Sequence, residues 1–528
     1  MKGHLRREVG AWPLLFTGIG SIIGSGWLFG AGRAAAIAGP AAILAWIVGG
    51  LVVLTIAGVA SELGGMFPET GGTVRYAYYT HGSLVGFLSA WANWLAIVTV
   101  IPIEAEASIQ YMSSWPFAWC HRLFQNGHLT FLAIVLSGFL IIGYFLLNYW
   151  GVRLFARVNT LITIFKLLVP AMTAVALLST GFHPGNVTGA TGGGFMPYGA
   201  ASVLTAVATS GIIFAFNGFQ SPLNLAGEAQ NPARDILFSV VGSVLISGVI
   251  YLLLQIAYLG AVDPRLVIHG WSGIKFSSPF AQLAMSFGLS WLAMLLYFDA
   301  FLSPSGTGIA YVAATSRMVY ATSRGGILPA MFSRLHPITG APRPALWFNF
   351  VVSIVFLCFF RGWSALAAVI SVATVISFLM MPVCALSLRR IAPDLRRPIK
   401  LPAMEILAPT GFVFASLLLY WARWPLTGKI ILLLLAAVPI YAFYQSRVGW
   451  SSFRPQLRAG WWFVGYFLVM CLVSWGGSKR FGGANYVPFG WDMVLVIVVA
   501  LGFFWWGIRS AWQTPDIVET RANGGFWD

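Results

Sequence analysis

Charged residues are scarce in this chain. Asp, Glu, Lys and Arg together make up 9% of its 528 residues, against about 25% in a soluble globular domain. That shortage excludes an ordinary water-soluble fold. Cysteine is scarce as well. Cys120, Cys358, Cys384 and Cys471 form no CxxC pair and no Cys/His cluster, so neither a metal site nor a disulfide framework is expected. Three of them fall in apolar runs, where Cys acts as a small hydrophobe. Histidine avoids the apolar runs: His4, His121, His128, His183, His269 and His336 fall in loops or tails, and His81 just precedes a span. With no His/Asp/Ser constellation and no sizeable polar loop, a membrane-embedded enzyme is not expected, and no cofactor is called for.

What is abundant is apolar sequence. Hydrophobic residues make up 58% of the chain, and runs of roughly 20 of them, each long enough to cross a bilayer, recur from end to end. This is the pattern of an all-α polytopic membrane protein. The first run is followed directly by others and does not read as a cleaved signal peptide. The net charge of +16 does not indicate nucleic acid, because the basic residues sit in short loops between spans. Placing the N-terminus in the cytoplasm gathers Lys2, Arg6, Arg7, Arg153, Arg157, Arg317, Arg324, Arg389, Arg390, Arg396 and Arg397 on that side. The bias predicts cytoplasmic termini and an even number of spans, about fourteen. Trp12, Trp115, Trp119, Trp271, Trp363, Trp450, Trp461 and Trp462 lie near predicted span ends and are expected in an interfacial belt rather than at a substrate.

Two spans are interrupted. The first contains Gly18-Ile19-Gly20-Ser21-Ile22-Ile23-Gly24-Ser25-Gly26, and the sixth contains Gly211-Ile212-Ile213-Phe214-Ala215-Phe216-Asn217-Gly218-Phe219-Gln220 followed by Ser221-Pro222. Glycine costs about 1 kcal/mol in a helix interior, and Pro222 removes a backbone donor. Spans 1 and 6 correspond if spans 1–5 and 6–10 are two copies of a five-helix unit, which an odd count forces into opposite orientation. Interruptions at matching places in two halves mark a midplane binding site; the other reading is that these glycines only let helices pack closely. On the first reading, the N–H groups and positive dipole end near Gly26 suit an α-carboxylate. Carbonyls of Ile22 and of Phe214, Ala215 or Phe216 suit an α-ammonium group, and Ser25 adds a hydroxyl. Phe214, Phe216 and Phe219 either cover the substrate or pack between helices. The expected organisation is a cytoplasmic tail at 1–10, a core at 11–390 with repeats at about 11–180 and 200–390, further helices 11–14 at 391–510, and a cytoplasmic tail at 511–528.

Several local patterns, in this order and spacing, resemble the amino acid–polyamine–organocation (APC) superfamily of permeases over roughly residues 10–390. They are Gly24-Ser25-Gly26, Phe67-Pro68-Glu69-Thr70-Gly71-Gly72 with Tyr76, Phe214-Ala215-Phe216-Asn217-Gly218-Phe219, Ala226-Gly227-Glu228 with Asn231-Pro232-Ala233-Arg234, and Ser316-Arg317 with Gly326-Ile327-Leu328-Pro329. The chain looks most like the bacterial aspartate:proton symporters, which implies the bacterial inner membrane. The resemblance implies a LeuT-type 5+5 inverted repeat with broken helices 1 and 6, plus four extra helices beyond the ten-helix core. It implies substrate binding by Ile22, Ile23, Gly24, Ser25 and Gly26 and by Phe214, Ala215, Phe216 and Asn217. It implies an amino-acid substrate, proton-coupled symport by alternating access and a bilayer setting. An exchanger is the nearest rival and a transporter-like sensor a further one. Gln220 departs from the Glu often found at that place, which removes any role ascribed to an acid there. Lys166 matches a fifth-helix Lys that, in proton-coupled relatives, stands where sodium-dependent members hold their cation. Its ammonium is expected to bridge helix 1 carbonyls to Ser303, Ser305 or Thr307.

The intramembrane charges have open readings. An ionisable group at that depth is functional by default, yet Lys166 could instead snorkel to the interface. Asp299 either joins the proton path, pairs with Lys166 or is a neutral structural group. Glu104 and Glu106 point to different helix faces, so one is expected on the substrate path and the other at a helix contact. Arg33 either attracts an acidic substrate side chain or pairs with Glu104 or Glu106. Glu62 is expected in an interfacial salt-bridge cluster, and Glu228 and Arg234 in loops that either gate or simply orient. Which side chain the substrate carries is not legible at this level.

Overall fold

The computed structural model describes residues 9–68, 72–150, 153–324, 328–337, 339–448 and 453–522, with 72–74, 153–161, 448 and 453 described by backbone alone. The expected Glu69-Thr70-Gly71 turn, Gly326 and Ile327, Trp450, the tail residues Lys2, His4, Arg6 and Arg7, and residues 523–528 lie outside the described residues.

Helix follows the apolar runs. The first run is two helices, α1 (Ala11–Ile22) and α2 (Gly26–Ala38), and α3 (Ala42–Met66) follows. A short α4 (Gly72–His81) leads to α5 (Ser83–Val98) and α6 (Val100–Met112), which meet end to end at Thr99. Then come α7 (Phe131–Trp150), α8 (Arg153–Thr180) and the single-turn α9 (Pro184–Thr188). The sixth run is broken into α10 (Ala200–Thr209), α11 (Ile212–Ala215) and α12 (Ser221–Asn224). Long α13 (Pro232–Ala261), connectors α14 (Pro264–Val267) and α15 (Pro279–Ser286), and long α16 (Ser290–Arg324) follow. The rest is α17 (Arg343–Phe359), the abutting pair α18 (Trp363–Phe378) and α19 (Met380–Ile391), α20 (Met404–Trp421), α21 (Leu426–Leu435), α22 (Ala437–Val448), α23 (Phe453–Gly476), α24 (Trp491–Ser510) and α25 (Pro515–Ala522). Proline opens many of these helices, as at Pro222, Pro232, Pro264 and Pro279, where its missing N–H costs nothing.

Ten helices among the described residues, with abutting pairs joined, are long and apolar enough to cross a membrane by length and composition. Strand is confined, among the described residues, to the hairpin Phe124–Gln125 with His128–Leu129 and a bridge from Val9 to Ala229. The α5–α6 and α18–α19 pairs are buried almost all round and form the centre, whereas α7 and α24 bury only about a third of their residues. Large apolar side chains such as Phe131, Phe139 and Phe359 stand outward, which suits hydrocarbon rather than water.

The two interruptions cross at this centre. Ile23 leaves the helix with φ −80° and ψ 94°. Gly211 and Gly218 take φ +93° and +114°, a region L-residues avoid. A Cβ on Gly218 would lie 2.5 Å from Ser21 O, and one on Gly26 2.7 Å from Ala215 Cα. These glycines therefore let the two broken backbones touch.

The later helices brace this core. Arg389 Nε and Nη2 donate to both oxygens of Glu62 at 2.9 and 2.7 Å. Leu401, just before α20, accepts from Arg389 and donates to Glu62 Oε2. Glu62 thus sits in the ionic cluster its position suggests. The end of α24 and the chain after it grip α4: Trp512 N donates to Thr80 O, Thr514 Oγ1 donates to Tyr79 O, and His81 Nε2 meets Gly507 O at 2.9 Å.

Candidate functional site

A narrow cavity lies where the breaks cross, lined by Ser21, Ile22, Gly24, Gly26, Val100, Glu104, Phe214, Asn217, Thr307 and Tyr311. In this conformation it has room for about one water, so a larger ligand enters only as the wall moves. Of the residues expected at a substrate, Ile22, Gly24, Gly26, Phe214 and Asn217 line it. Ile23, Ser25, Ala215 and Phe216 are buried behind the wall. Phe216 packs on Trp46 and Tyr251, and Phe219 on Phe378. Phe214 alone of the three aromatics faces the cavity.

The amino end of α2 is not left open. Ser25 N donates to Glu104 Oε2 at 3.0 Å and to Oε1 at 3.4 Å. The chain's own carboxylate thus occupies an amide expected to be free for a ligand. The same charge preference explains it, because an anion is stabilised at a helix N-terminus whatever its source. Gly24 makes room, since a Cβ there would lie 2.7 Å from Glu104 Oε1. The Ser25 hydroxyl accepts from Trp363 Nε1 at 2.9 Å. The Tyr251 hydroxyl lies 3.0 Å from Ala215 O and 3.4 Å from Ile22 O. It has one proton, which the shorter Ala215 contact takes, so Tyr251 bonds the second break and stands against Ile22 O of the first.

Lys166 is 3% exposed. Its Nζ donates to Gly20 O on α1 at 3.0 Å and to Thr307 Oγ1 on α16 at 2.7 Å. Thr307 in turn lines the cavity, so the ammonium ties α1 to α16 one side chain away from it. Of the other two hydroxyls considered, Ser305 Oγ meets Tyr144 and Ser303 Oγ has no partner among the described residues.

Asp299 does not pair with Lys166. Both its oxygens are buried without a hydrogen-bond partner among the described residues. Thr307 is eight residues farther along α16, about 12 Å of helix rise, and the ammonium points to that level. Arg33 is exposed on α2 and pairs with neither Glu104 nor Glu106. It lies two turns beyond Gly26, and the cavity closes before it. Glu106 is buried with both oxygens unpartnered among the described residues, on the opposite face from Glu104. The tryptophan expectation divides. Trp12, Trp119 and Trp461 are exposed and Trp115 half-buried, but Trp271, Trp363 and Trp462 are buried. Trp363 stacks on Phe29 at 4.9 Å and meets Phe214 edge-on at 5.9 Å, which places it against the site rather than at an interface.

Sequence reasoning misses Tyr251 and Tyr311 and places Trp363 in the interfacial belt. Nothing local marks them: each is an aromatic in an apolar helix, and only long-range packing brings it to the breaks.

The chain matches the family described as amino acid permease over residues 9–431. It is 54% identical over 521 residues to the glutamate/serine transporter AimA of Bacillus subtilis, covering 98% of this chain and 96% of that protein. It is 36% identical over 510 residues to the aspartate-proton symporter of the same organism, covering 96% of each. The branched-chain amino acid permease BcaP of B. subtilis is 26% identical over 460 residues, covering 84% of this chain and 94% of that protein.

Proposed function

The chain belongs to the amino acid permease family, and we propose that it is a secondary active transporter taking up an α-amino acid with a proton by alternating access. It is a multi-pass membrane protein of amino-acid transport and not an enzyme. The reading extends to a LeuT-type inverted repeat with halves at 11–180 and 200–390, cytoplasmic termini, the bacterial cell membrane, and helices from 391 to 510 that brace the core. Crossing of the two breaks at Gly218 and Gly26 supports the repeat.

The observation that carries the mechanism is the Lys166 tie between Gly20 O and Thr307 Oγ1 beside the cavity. An ammonium has three donors and a charge; the amine left after proton loss holds the same two oxygens far more weakly. Loss of the proton therefore frees α1 from α16. The zwitterion enters by exchanging partners. Its α-carboxylate takes the Ser25 amide end of α2, and the displaced Glu104 carboxylate receives the α-ammonium group. Each charge keeps an opposite partner throughout, which the low dielectric demands. The substrates named for AimA and for the aspartate-proton symporter point to serine or an acidic amino acid.

The test is uptake of labelled serine, glutamate and aspartate into proteoliposomes with an empty interior and an imposed inward proton gradient. Accumulation above equilibrium is expected without sodium. Uptake that requires internal amino acid identifies an exchanger instead, and uptake that requires sodium and survives Lys166→Ala removes the role given to Lys166.

A further inference from the structure

The geometry points to Asn217 as the residue that reads the substrate's side chain, set as a hydrogen-bond donor by Gln220, so that the site selects amino acids whose side chain offers an oxygen acceptor. This rests on the transporter reading above and adds a substrate class to it.

The orientation of both amides follows from one backbone group. Gly218 N–H can only donate, and it meets Gln220 Oε1 at 3.1 Å. Gln220 Nε2 must therefore face the other way, where it donates to Asn217 Oδ1 at 3.0 Å. That engages the acceptor half of the Asn217 amide. The donor half, Nδ2, is buried with no partner among the described residues, on a side chain 3% exposed that lines the cavity. A buried donor left unmet is rare in a folded protein, and one on a cavity wall is met when a ligand arrives. The complement of an N–H donor is an oxygen: a hydroxyl, a carboxylate or an amide carbonyl. An ammonium or guanidinium side chain would set donor against donor. Among the described residues no Lys or Arg lines the cavity, and Thr307 gives its proton to Ser303 O, so the side-chain donors at the wall for an acidic substrate are the Asn217 amide and the Ser21 and Tyr311 hydroxyls.

Gln220 does not line the cavity and acts as a positioning residue. A glutamate at 220 could still accept from Gly218 N–H but has nothing to donate to Asn217 Oδ1. The Asn217 amide would then turn, giving Nδ2 to the carboxylate and presenting Oδ1 to the cavity. Gln220→Glu thus reverses the polarity of the wall without altering the wall's composition. Asn217→Asp does the same directly while keeping the bond from Gln220.

The experiment is binding of alanine, serine and glutamate to the purified full-length protein in nanodiscs, by ligand-induced thermal shift and by competition with labelled serine. Wild type is expected to favour serine and glutamate over alanine, the worth of one hydrogen bond being about tenfold. In Gln220→Glu and Asn217→Asp the glutamate-to-alanine ratio is expected to fall about tenfold, while the serine-to-alanine ratio holds, because a hydroxyl can donate to the acceptor now on the wall. A glutamate-to-alanine ratio that stays within about twofold of wild type in both variants overturns the proposal. So does a parallel loss for alanine and glutamate, which would mean that Asn217 reads the shared α-amino acid backbone. If Gln220→Glu does not fold, Gln220→Met, which frees the amide to rotate, and Asn217→Asp carry the same comparison. Wild-type protein that binds none of the three amino acids overturns the transporter reading itself, a result separate from any change in ratio.

Discussion

Replacing Lys166 by Met separates its structural role from the coupling role proposed for it. The ammonium makes two hydrogen bonds, to Gly20 O at 3.0 Å and to Thr307 Oγ1 at 2.7 Å. Hydrogen bonds from a charged group contribute roughly 1.5–3 kcal/mol each, so the pair contributes about 3–6 kcal/mol. Against this stands the burial of a charge that is 3% exposed, which costs several kcal/mol even after relaxation. Methionine fills nearly the same volume and carries neither term. Thr307 Oγ1 keeps its own contact to Ser303 O at 3.3 Å, so only Gly20 O loses a partner. The two contributions nearly cancel, and stability is expected to change by about 2 kcal/mol or less, a Tm shift of a few degrees. Coupling is expected to vanish. Lys166→Met should bind serine and exchange it across the membrane but fail to accumulate it under a proton gradient. Lys166→Arg should fail in the same way, because a guanidinium does not release its proton. Counterflow and gradient-driven uptake in proteoliposomes, with thermal unfolding alongside, measure all three. Gradient-driven accumulation that survives in either variant refutes the reasoning.

Gly26→Ala places a Cβ 2.7 Å from the Ala215 backbone, which cannot give way, so a loss of about 1–3 kcal/mol and of substrate binding is expected. Gly138→Ala, with nothing within 4 Å, is the control that should unfold at or above the wild-type temperature. Glu62→Gln strands the Arg389 guanidinium beside a neutral amide, and since Glu62 is 2% exposed and Arg389 19%, thermal unfolding should show a loss of about 2–3 kcal/mol, discounted from a fully buried pair. Burial pushes the His81 imidazole down to about 4. Burial favours the neutral ring, although the bond to Gly507 O survives protonation, so the stability it contributes is full above pH 6.5 and is lost as pH falls toward 4, by about 3 kcal/mol; proteolysis of the C-terminal segment should accelerate over that window and not in His81→Gln. Glutamate uptake should depend more steeply on external pH than serine uptake, because the acidic substrate brings a charge that no cavity Lys or Arg meets; equal dependence would remove that argument.

The breaks were legible in sequence because their causes are local. Gly24, Gly218, Asn217 and Pro222 oppose helix wherever they stand, and Lys166 is conspicuous as a lone cation in an apolar run. The partners were not legible, because each is a long-range event. Glu104 reaches Ser25 across 79 residues and Trp363 reaches it across 338. Tyr251 is one of 17 tyrosines, and nothing in its own helix marks it as the group that meets both breaks, bonding Ala215 O beside Ile22 O. Arg33 and Trp363 misled for a related reason. Position along a helix says how deep a side chain lies but not which way it faces, and Arg33 faces outward while Trp363 faces the site.

Glu104 shows what that missing direction conceals. A glycine break with a free helix end reads as a site waiting for a carboxylate. In the folded chain the waiting amide already holds one, and Thr307 stands between that carboxylate and the Lys166 ammonium. The resting site is therefore a closed set of charges: helix end, carboxylate and ammonium. A neutral amino acid can enter by exchange of partners alone, since it brings one charge of each sign. An acidic amino acid brings one negative charge more, and the cavity answers it with the neutral donors of Asn217, Ser21 and Tyr311. Neutral donors solvate a charge without cancelling it, so a proton entering with the substrate restores the balance. Asp299, buried and without a partner among the described residues on the same helix as Thr307, is a second acid within the fold able to hold it. On this account proton coupling follows from the absence of a basic residue in the cavity wall as much as from the presence of Lys166 beside it.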